Sequence, residues 1–369
     1  MLLALCGCAS RRREIDTPWI MHRQLVCLGP FRSCLLAGLL ASFFPSALAT
    51  DVVTETFVGS LTTIERTTNG NPHLTLFSQR MVRSVECAGQ ITSVLAATLT
   101  DTNSIWTASQ FGTNGTPAYV EFDNGRSLDI QDTVTQTHGL LLAGVLNGIA
   151  SAGDAYRIRP HSTIASLFGT NNEAGLIAGP NPAQADTILL VIPGTSSIRT
   201  LFYFSNTPAF SFQGWARADT FTPDPDEVVR PEQGVMVQRI VNTDASLYLC
   251  GPTKTGETVV TVKPGYNLLG TLKSLSSVTL SNLDLYTGDP ATGIVSGANP
   301  SSGDNLLVVE PNGSVTTYFY FYNPKNDVFR GWVNANGFSI SQDTPIAAGN
   351  VFFINRQAGN QFDWTIPAE

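Results

Sequence analysis

Apolar and polar residues alternate with a period of two over much of the chain, which is typical of strands with one buried face. The clearest example is the pair of segments YVEF and SLDI, which flank Asn124-Gly125. Asn-Gly between two alternating segments predicts a two-residue β-hairpin. Beyond residue 50, no apolar period of 3.6 residues continues over three helical turns. The pattern therefore predicts a mostly β protein.

Two apolar runs, DTILLVIP and DNLLVVEP, lack this alternation and predict strands that are buried on both faces. Each run is followed by an aromatic strand, a Gly-Trp block and an apolar strand that ends in Arg. At an offset of 117 residues, twelve of the forty positions from 200 to 239 recur in 317–356. We interpret these segments as two homologous antiparallel β units. The shared positions include Phe204 and Phe321, Gly214 and Gly331, Trp215 and Trp332, and Arg239 and Arg356.

The repeat divides the chain into a leader (1–49), a small N-terminal β-barrel or sandwich (50–157) and two β units (158–245 and 246–369). Ile158-Arg159-Pro160 is echoed by Val262-Lys263-Pro264, which marks the start of each unit and equates His161 with Gly265. In the second unit, the segment that follows this tripeptide is longer than the corresponding segment of the first unit. Its additional residues include SVTLSNLDLY, for which we predict an extra strand or loop.

Residues 1–49 have the pattern of a secretory signal peptide. Arg23 and Arg32 precede an apolar run from Cys34 to Leu48, which ends in Ala47-Leu48-Ala49. We expect cleavage after Ala49 and therefore an exported product. The apolar run is shorter than the roughly 20 residues that cross a bilayer as a helix. No transmembrane segment is expected in the mature chain.

Composition excludes one class of partner. The net charge is −8 and charged residues make up only 14% of the chain. An acidic protein without a Lys/Arg cluster repels phosphate backbones, so nucleic acid is not an expected partner. Beyond the leader the cysteines are Cys87 and Cys250. Export permits a disulfide between them, but two cysteines so far apart in sequence define no disulfide framework, and we expect two buried free thiols.

Known catalytic signatures are absent from the sequence beyond the leader. It contains no G-x-S-x-G, H-E-x-x-H or C-x-x-C motif and no glycine-rich phosphate loop. The histidines there, His73, His138 and His161, are scattered, so no cofactor is expected. We therefore predict a non-enzyme. A glycoside hydrolase stays open, because the spacing of its two carboxylates is set by tertiary structure.

The carboxylates of the segment PDPDEV are a weak candidate for a calcium site. Asp224, Asp226 and Glu227 place oxygen ligands at close positions in one loop. Asp226 recurs as Asp343, which favours a structural role such as capping of local backbone amides. For the same reason we predict that the repeated aspartates form salt bridges with the repeated arginines, Asp226 with Arg239 and Asp343 with Arg356.

The aromatic residues are a candidate sugar-stacking platform. The candidate residues are Tyr203, Tyr320, Tyr322 and Trp364. Tyr322 is the most specific of them, because its counterpart in the first unit is Ser205 and we therefore expect it to be exposed. Trp215 and Trp332 are flanked by phenylalanines in both copies and are predicted to fill the core of each unit. Trp106 is predicted to do so in the N-terminal domain.

The order of these segments resembles a family of uncharacterised secreted, β-rich proteins from outer-membraned environmental bacteria. That family has a Gly-Trp after an aromatic strand and a closing D-x4-P-x2-G strand that ends in Arg. Asp226, Pro231, Gly234 and Arg239 fit this pattern, whereas the second copy has Ala348 and Val351 at the Pro and Gly positions. The resemblance implies export and a β fold and brings no catalytic residues.

These features predict an exported, non-catalytic structural or interaction protein of the cell surface, periplasm or extracellular space. The alternative is a carbohydrate-binding module that acts on extracellular polysaccharide. The expected partner is accordingly a polysaccharide or a surface protein.

Overall fold

The computed structural model describes residues 55–65, 73–104, 106–134, 138–206, 212–272, 277–309, 314–325, 329–357 and 359–366. The predicted leader, 1–49, lies outside these residues. The described chain consists largely of antiparallel strands, and its longest helix is the five-residue α1, Ile164–Phe168. The mostly β fold class is therefore confirmed.

The strands follow one another along the chain, beginning with β1 (Phe57–Ile64) and β2 (His73–Ser78). The next seven are β3 (Cys87–Gln90), β4 (Ser93–Leu95), β5 (Thr98–Thr100), β6 (Ala118–Phe122), β7 (Ser127–Val134), β8 (Gly139–Leu142) and β9 (Ala155–Pro160). They are followed by β10 (Ser162–Thr163), β11 (Thr187–Val191), β12 (Ile198–Ser205), β13 (Gln213–Arg217), β14 (Val228–Val229), β15 (Gly234–Arg239) and β16 (Ala245–Pro252). The last are β17 (Thr258–Val262), β18 (Gly265–Gly270), β19 (Val278–Thr279), β20 (Asn305–Val309), β21 (Val315–Phe321), β22 (Gly331–Asn334), β23 (Pro345–Ile346), β24 (Val351–Arg356) and β25 (Phe362–Ile366).

Two five-stranded sheets have the same strand order. One is β13-β12-β11-β15-β2 and the other is β22-β21-β20-β24-β18. Each is accompanied by two short ribbons, β1–β16 and β10–β14 in the first case and β17–β25 and β19–β23 in the second. Pairing therefore matches strand for strand, with β1 and β2 in the places of β17 and β18. Short 3-10 turns at Pro182–Gln184 and Leu280–Leu283 complete the regular structure.

The third sheet, β3-β9-β6-β7-β8-β5-β4, lies in sequence between β2 and β10. It curls around its own apolar core, which includes Trp106, Phe111 and Tyr156. The predicted domain boundaries stay predictions. Pairing nevertheless places β1 and β2 with the first β unit, so the seven-stranded sheet is inserted into that unit and does not precede it.

Two sequence-based correspondences are wrong for this reason. Gly265 lies opposite Arg356 in the ladder, and the residue opposite Arg239 is His73. The counterpart of Gly265 is thus His73, not His161. The segment SVTLSNLDLY is not an addition either, since β19 and its 3-10 turn occupy the place of β10 and α1.

The predicted hairpin at Asn124-Gly125 forms, but its loop has three residues. The Phe122 N–H donates to the Arg126 carbonyl (2.9 Å) and the Gly125 N–H to the Phe122 carbonyl (3.0 Å). Gly125 has φ +78°, the left-handed conformation that closes a type I turn with a bulge. The side-chain amide of Asn124 donates a hydrogen bond to the Ile149 carbonyl and so connects the loop to the rest of the sheet domain.

The paired tryptophans occupy equivalent interior positions. Trp215 is paired with Tyr203 across the ladder and Trp332 with Tyr320. The ring centroids are 5.1 Å apart at 83° in the first pair and 5.9 Å apart at 78° in the second. Both indoles are buried, and each sits in a different apolar cluster. Phe204 and Phe321 stack on the other face against Phe212 and Phe329.

The two five-stranded sheets meet through an approximate twofold relation. The Ser78 N–H donates to the Gly349 carbonyl (3.0 Å), and the Gly270 N–H donates to the Glu232 carbonyl (2.9 Å). A small apolar cluster surrounds the contact and comprises Val191, Met236, Leu268 and Val351. A Cβ atom at Gly234 would lie 2.5 Å from Leu268 Cγ, and one at Gly270 would lie 2.4 Å from Ser78 Cβ. Glycine is therefore required for this approach.

The arginine that closes each unit is buried and pairs with a different aspartate from the one predicted. Arg356 Nη1 lies 2.5 Å from Asp304 Oδ2, and Arg239 Nη1 lies 3.5 Å from Asp186 Oδ2. Asp226 and Asp343 are exposed, so the predicted Asp226–Arg239 and Asp343–Arg356 bridges are wrong. The buried aspartates also accept backbone N–H groups: Asp304 from Val295 and Gln357, Asp186 from Ile177 and Ile240.

Replacing Asp304 by Asn should strongly destabilise the protein, because it leaves the Arg356 guanidinium buried without its counter-charge. We expect the free energy of unfolding to fall by about 3–5 kcal/mol, measured by urea denaturation. Asp343→Asn changes the exposed aspartate and should alter the free energy of unfolding by less than about 0.5 kcal/mol. Equal urea midpoints for the two variants would contradict the observed pairing.

Candidate functional site

The four aromatic candidates are not brought together into one platform. Trp364 and Tyr203 are buried, at 1% and 5% exposure, and the Trp364 indole N–H donates to the Leu283 carbonyl (2.7 Å). Neither presents a ring to solvent, so a stacking role for these two is wrong. Tyr320 is half-buried and its ring is stacked on Tyr286, with centroids 3.6 Å apart. Tyr322 is half-buried below the Arg330 guanidinium, 4.2 Å from its ring centroid.

The three carboxylates of PDPDEV have different surroundings. Glu227 accepts two bonds from Arg199 Nη1, at 2.5 and 2.6 Å. Burial and the adjacent Glu227 raise the pKa of Asp224, and Asp226 is exposed. Among the described residues, no group of three or more His, Cys, Asp or Glu side chains is placed to hold a metal ion.

Cys87 and Cys250 both remain thiols, and Cys250 is exposed, contrary to the buried state expected for it.

One face of the β1–β16 ribbon is apolar and exposed. Phe57, Leu61 and Tyr248 point outward from it with 62%, 56% and 74% of their surfaces exposed. Leu61 is paired directly with Tyr248 in the ribbon, so these side chains are adjacent. We call this surface, formed by Phe57, Leu61 and Tyr248, the ribbon face.

The equivalent ribbon of the second unit has different surroundings. Val259 and Thr365 hold the places of Leu61 and Tyr248 in the β17–β25 ladder. The Val259 N–H donates to the carbonyl of Gly125 in the hairpin of the seven-stranded sheet (2.9 Å). Arg126 of the same hairpin forms an ion pair with Asp363 (2.7 Å). One ribbon is thus engaged by the hairpin, whereas the matching strand in the first unit carries the ribbon face.

A cavity of about 590 Å³ lies where the three sheets meet. The seven-stranded sheet contributes Tyr119 and Asp129, and the loop between β16 and β17 contributes Lys254. His161, Arg230 and Glu232 come from the first unit. We call it the junction cavity, defined by these six residues. Its apolar wall is formed by Ile192, Val260, Leu268, Leu269 and Leu272.

Asp129 is the central charge of the junction cavity. Its Oδ1 lies 3.0 Å from His161 Nε2, and its Oδ2 accepts a bond from Arg230. Burial alone would raise the pKa of Asp129, but the hydrogen bond from His161 and the charge of Arg230 outweigh it and hold the pKa at about 2. Asp129 is therefore an ionised anchor at neutral pH and cannot serve there as a proton donor.

Lys254 belongs to a buried ion network that joins the seven-stranded sheet to the loop between β16 and β17. Its Nζ contacts Glu121, which also accepts from Arg159 Nε at 2.8 Å. Arg159 continues to Glu55 at 2.6 Å. Burial lowers the pKa of Lys254 to about 8. Two cations alternate with two carboxylates, so this network has no uncompensated charge.

Two buried polar atoms of the cavity residues have no hydrogen-bond partner within the described part of the chain. They are Tyr119 Oη and His161 Nδ1. The two rings lie 4.8 Å apart between centroids. Burial also raises the pKa of Tyr119 and of Glu232, the second carboxylate of the cavity. A buried unpaired donor or acceptor destabilises a fold, so these groups are expected to have a role other than stability.

Sequence reasoning missed this site. His161 is only one of three scattered histidines in the sequence, and Asp129 lies within SLDI, where alternation predicts an ordinary outward-facing strand residue. Arg230 and Lys254 follow strands of different sheets, so no sequence spacing connects them with Asp129.

In the described ranges, no helix is long and apolar enough to cross a membrane.

The Asp129 ion pairs should make stability depend on pH in the acid range. The pKa of Asp129 is lower in the folded state, about 2, than its ordinary 3.8. Its contribution to the free energy of unfolding is thus present above pH 3.8 and is lost as the pH falls towards 2. Urea midpoints of Asp129→Asn should lie below those of the wild type at pH 6 and converge with them near pH 2. The exposed Asp226→Asn serves as the control, and a gap that stays constant for Asp129→Asn would contradict the assignment.

The ribbon face and the junction cavity are both candidate sites for a functional contact. No protein-family model matches the sequence, and neither a curated protein nor a solved structure is detectably similar to it.

Proposed function

We propose that this chain is an exported, non-catalytic interaction protein of the cell surface, periplasm or extracellular space. The ribbon face carries the proposal. Single exposed apolar residues are ordinary, but an adjacent group on one face is typical of a surface that binds a partner. Phe57, Leu61 and Tyr248 form such a group on a two-stranded ribbon, which adds a rigid backbone to the surface.

The second unit shows what this kind of ribbon can bind. Its β17–β25 ribbon engages a hairpin through one backbone hydrogen bond, from Val259, and one ion pair, from Asp363. A strand edge that accepts an additional backbone segment is a general mode of protein recognition. The same geometry at β1 supports a protein partner that presents an extended segment to Leu61.

The charges of the junction cavity support a non-catalytic role. Asp129 and Glu232 have pKa values shifted in opposite directions, as in acid–base pairs of enzymes. Asp129, however, is bonded to both His161 and Arg230, which favours an anchor over a nucleophile. Release of reducing ends from a polysaccharide by the wild type, lost in Glu232→Gln, would contradict the non-catalytic assignment.

Site-specific photo-crosslinking in the native host tests the interaction surface. A benzophenone amino acid is placed at Tyr248 or at its structural counterpart Thr365, which is also exposed. We expect an adduct with a discrete partner at position 248 and none at 365. Substituting Leu61→Ser should abolish the adduct without lowering the melting temperature. Absence of an adduct at 248, or equal adducts at both positions, would overturn the proposal.

Carbohydrate binding is the second candidate, and the stacked Tyr286–Tyr320 pair favours it. The pair borders a hollow of about 150 Å³ that is also lined by Asp284, Trp332 and Gln342. Aromatic faces next to carboxylate and amide groups suit the C–H faces and hydroxyls of a sugar ring. Tyr322 lies two residues after Tyr320 in the chain, under Arg330.

Affinity electrophoresis through gels that contain polysaccharides tests this candidate. Binding would retard the wild type, and Tyr286→Ala and Tyr322→Ala should each restore mobility. The control is Tyr266→Ala, which removes an exposed tyrosine from another strand of the same sheet. Circular dichroism melts establish that each variant is folded. Retardation that survives both tyrosine substitutions would exclude this site.

A further inference from the structure

A smaller crevice borders the ribbon face. It has a volume of about 260 Å³ and lies between β1, β2 and the turn that precedes β24. Its lining includes Leu61, Thr75, Arg80 and Gly349, and we call it the Arg80 crevice, defined by these four residues. Because Leu61 also belongs to the ribbon face, a partner that covers this face reaches the crevice.

Arg80 is the unpaired charge of this crevice. Within the described part of the chain, its guanidinium forms no hydrogen bond or ion pair. The residue is half-buried, and its nitrogen atoms are not enclosed, so a ligand atom can reach them. Burial lowers the pKa of Arg80, but a guanidinium stays charged at neutral pH. A half-buried cation whose N–H donors are free indicates an anionic ligand.

The equivalent position in the second unit shows that the fold does not need this charge. The Ser78 and Gly270 N–H groups make equivalent bonds where the two sheets meet. Arg80 and Leu272 each lie two residues further along and have φ values of +61° and +55°. Leu272 is buried in an apolar core. An arginine in the place of a core leucine is therefore expected to serve binding.

Two neighbours of Arg80 complete a carboxylate site. Gly349 makes room for the guanidinium, because a Cβ atom at this position would collide with it. Thr75 Oγ1 accepts a hydrogen bond from the Glu65 N–H (2.9 Å), which leaves its hydroxyl hydrogen available to a ligand. A carboxylate suits both groups, since it accepts two parallel N–H bonds from an arginine and further bonds from a hydroxyl.

Charge and size limit the ligand. The other ionisable side chains of the crevice are Glu65 and His73, which are paired with each other at 3.2 Å. Glu65 repels anions from one wall, which favours a singly charged carboxylate over a doubly charged phosphate. The volume lies below the roughly 300–1,000 Å³ of pockets that enclose a whole small molecule. Both limits favour one acidic side chain of a larger partner.

We propose that the Arg80 crevice binds an aspartate or glutamate side chain of the extended segment that packs on the ribbon face. In this arrangement Leu61 contacts an apolar residue of the segment and Arg80 pairs with the acidic residue beside it. The peptide nature of the ligand rests on the proposed function, whereas the carboxylate site rests on Arg80 and its surroundings.

NMR titration of the purified, ¹⁵N-labelled protein tests the site with defined probes. The probes are N-acetyl-Leu-Glu-N-methylamide, its glutamine twin and acetate, and the readout is the Arg80 Nε–H signal, assigned by its absence in Arg80→Gln. We expect the glutamate peptide to shift this signal at millimolar concentration and the glutamine twin to leave it in place. No shift with the glutamate peptide, equal shifts with both peptides, or equally tight binding of acetate would overturn the proposal.

Two matched variants localise the binding. Arg80→Gln should weaken the glutamate peptide roughly tenfold, the effect of losing a hydrogen bond between charged groups. It should melt at or above the wild-type temperature, because no partner within the described chain is lost. Arg83→Gln is the control, since Arg83 is exposed and lies outside the crevice, and it should leave the affinity unchanged. Equal loss of affinity in both variants, or a lower melting temperature for Arg80→Gln alone, would refute the assignment.

The titration is independent of the native partner. Absence of a cross-linked adduct at Tyr248 would count against the proposed function and leave a carboxylate-dependent shift of Arg80 standing. An Arg80 signal that does not respond would count against the crevice and leave a cross-linked partner standing.

Discussion

The close approach of the two five-stranded sheets is the constraint on which the rest of the structure depends. The sheets approach closely at Gly234 and Gly270, where a Cβ atom would collide with the side chains of Leu268 and Ser78. The paired hydrogen bonds at Gly349 and Glu232 fix the two sheets in an approximately twofold relation. This relation brings the loop after β14 next to β18, and the first and second units thereby provide two walls of the junction cavity.

Buried ion pairs are the second feature that determines how the sheets are arranged. Arg356 with Asp304 closes the second unit, whereas Lys254, in the loop between β16 and β17, contacts the Arg159–Glu121 pair of the seven-stranded sheet. Pairs of this kind contribute little net stability compared with apolar packing. Their geometry is nevertheless demanding, since each cation must meet its carboxylate, and we infer that they select one arrangement of the sheets among many of similar packing quality.

The local pattern of apolar and polar residues predicted the strands well, but it predicted poorly which strands pair with one another. Alternation and aromatic runs identified β6, β7 and β12, and the repeated residues pointed to Trp215 and Trp332 as an equivalent pair. Which strands pair depends on the chain topology. The similarity of Ile158-Arg159-Pro160 to Val262-Lys263-Pro264 led to the wrong correspondence between the two units. Asp186 and Asp304 are the first residues of the runs DTILLVIP and DNLLVVEP, but the sequence did not identify them as partners of the arginines, because ion pairs across a ladder leave no sequence spacing. The junction cavity was invisible for the same reason, as its residues come from three sheets.

The insertion between β2 and β10 has a consequence for how the chain assembles. The second unit lies within one continuous segment from β17 to β25, so its contacts close relatively short loops. The first unit must join Phe57 to Pro252 across the whole inserted sheet, and closing such a long loop carries a larger entropic penalty and slows pairing. The β1–β16 ribbon is therefore expected to be the last element to form. The ribbon face would then be complete only once the whole chain has folded.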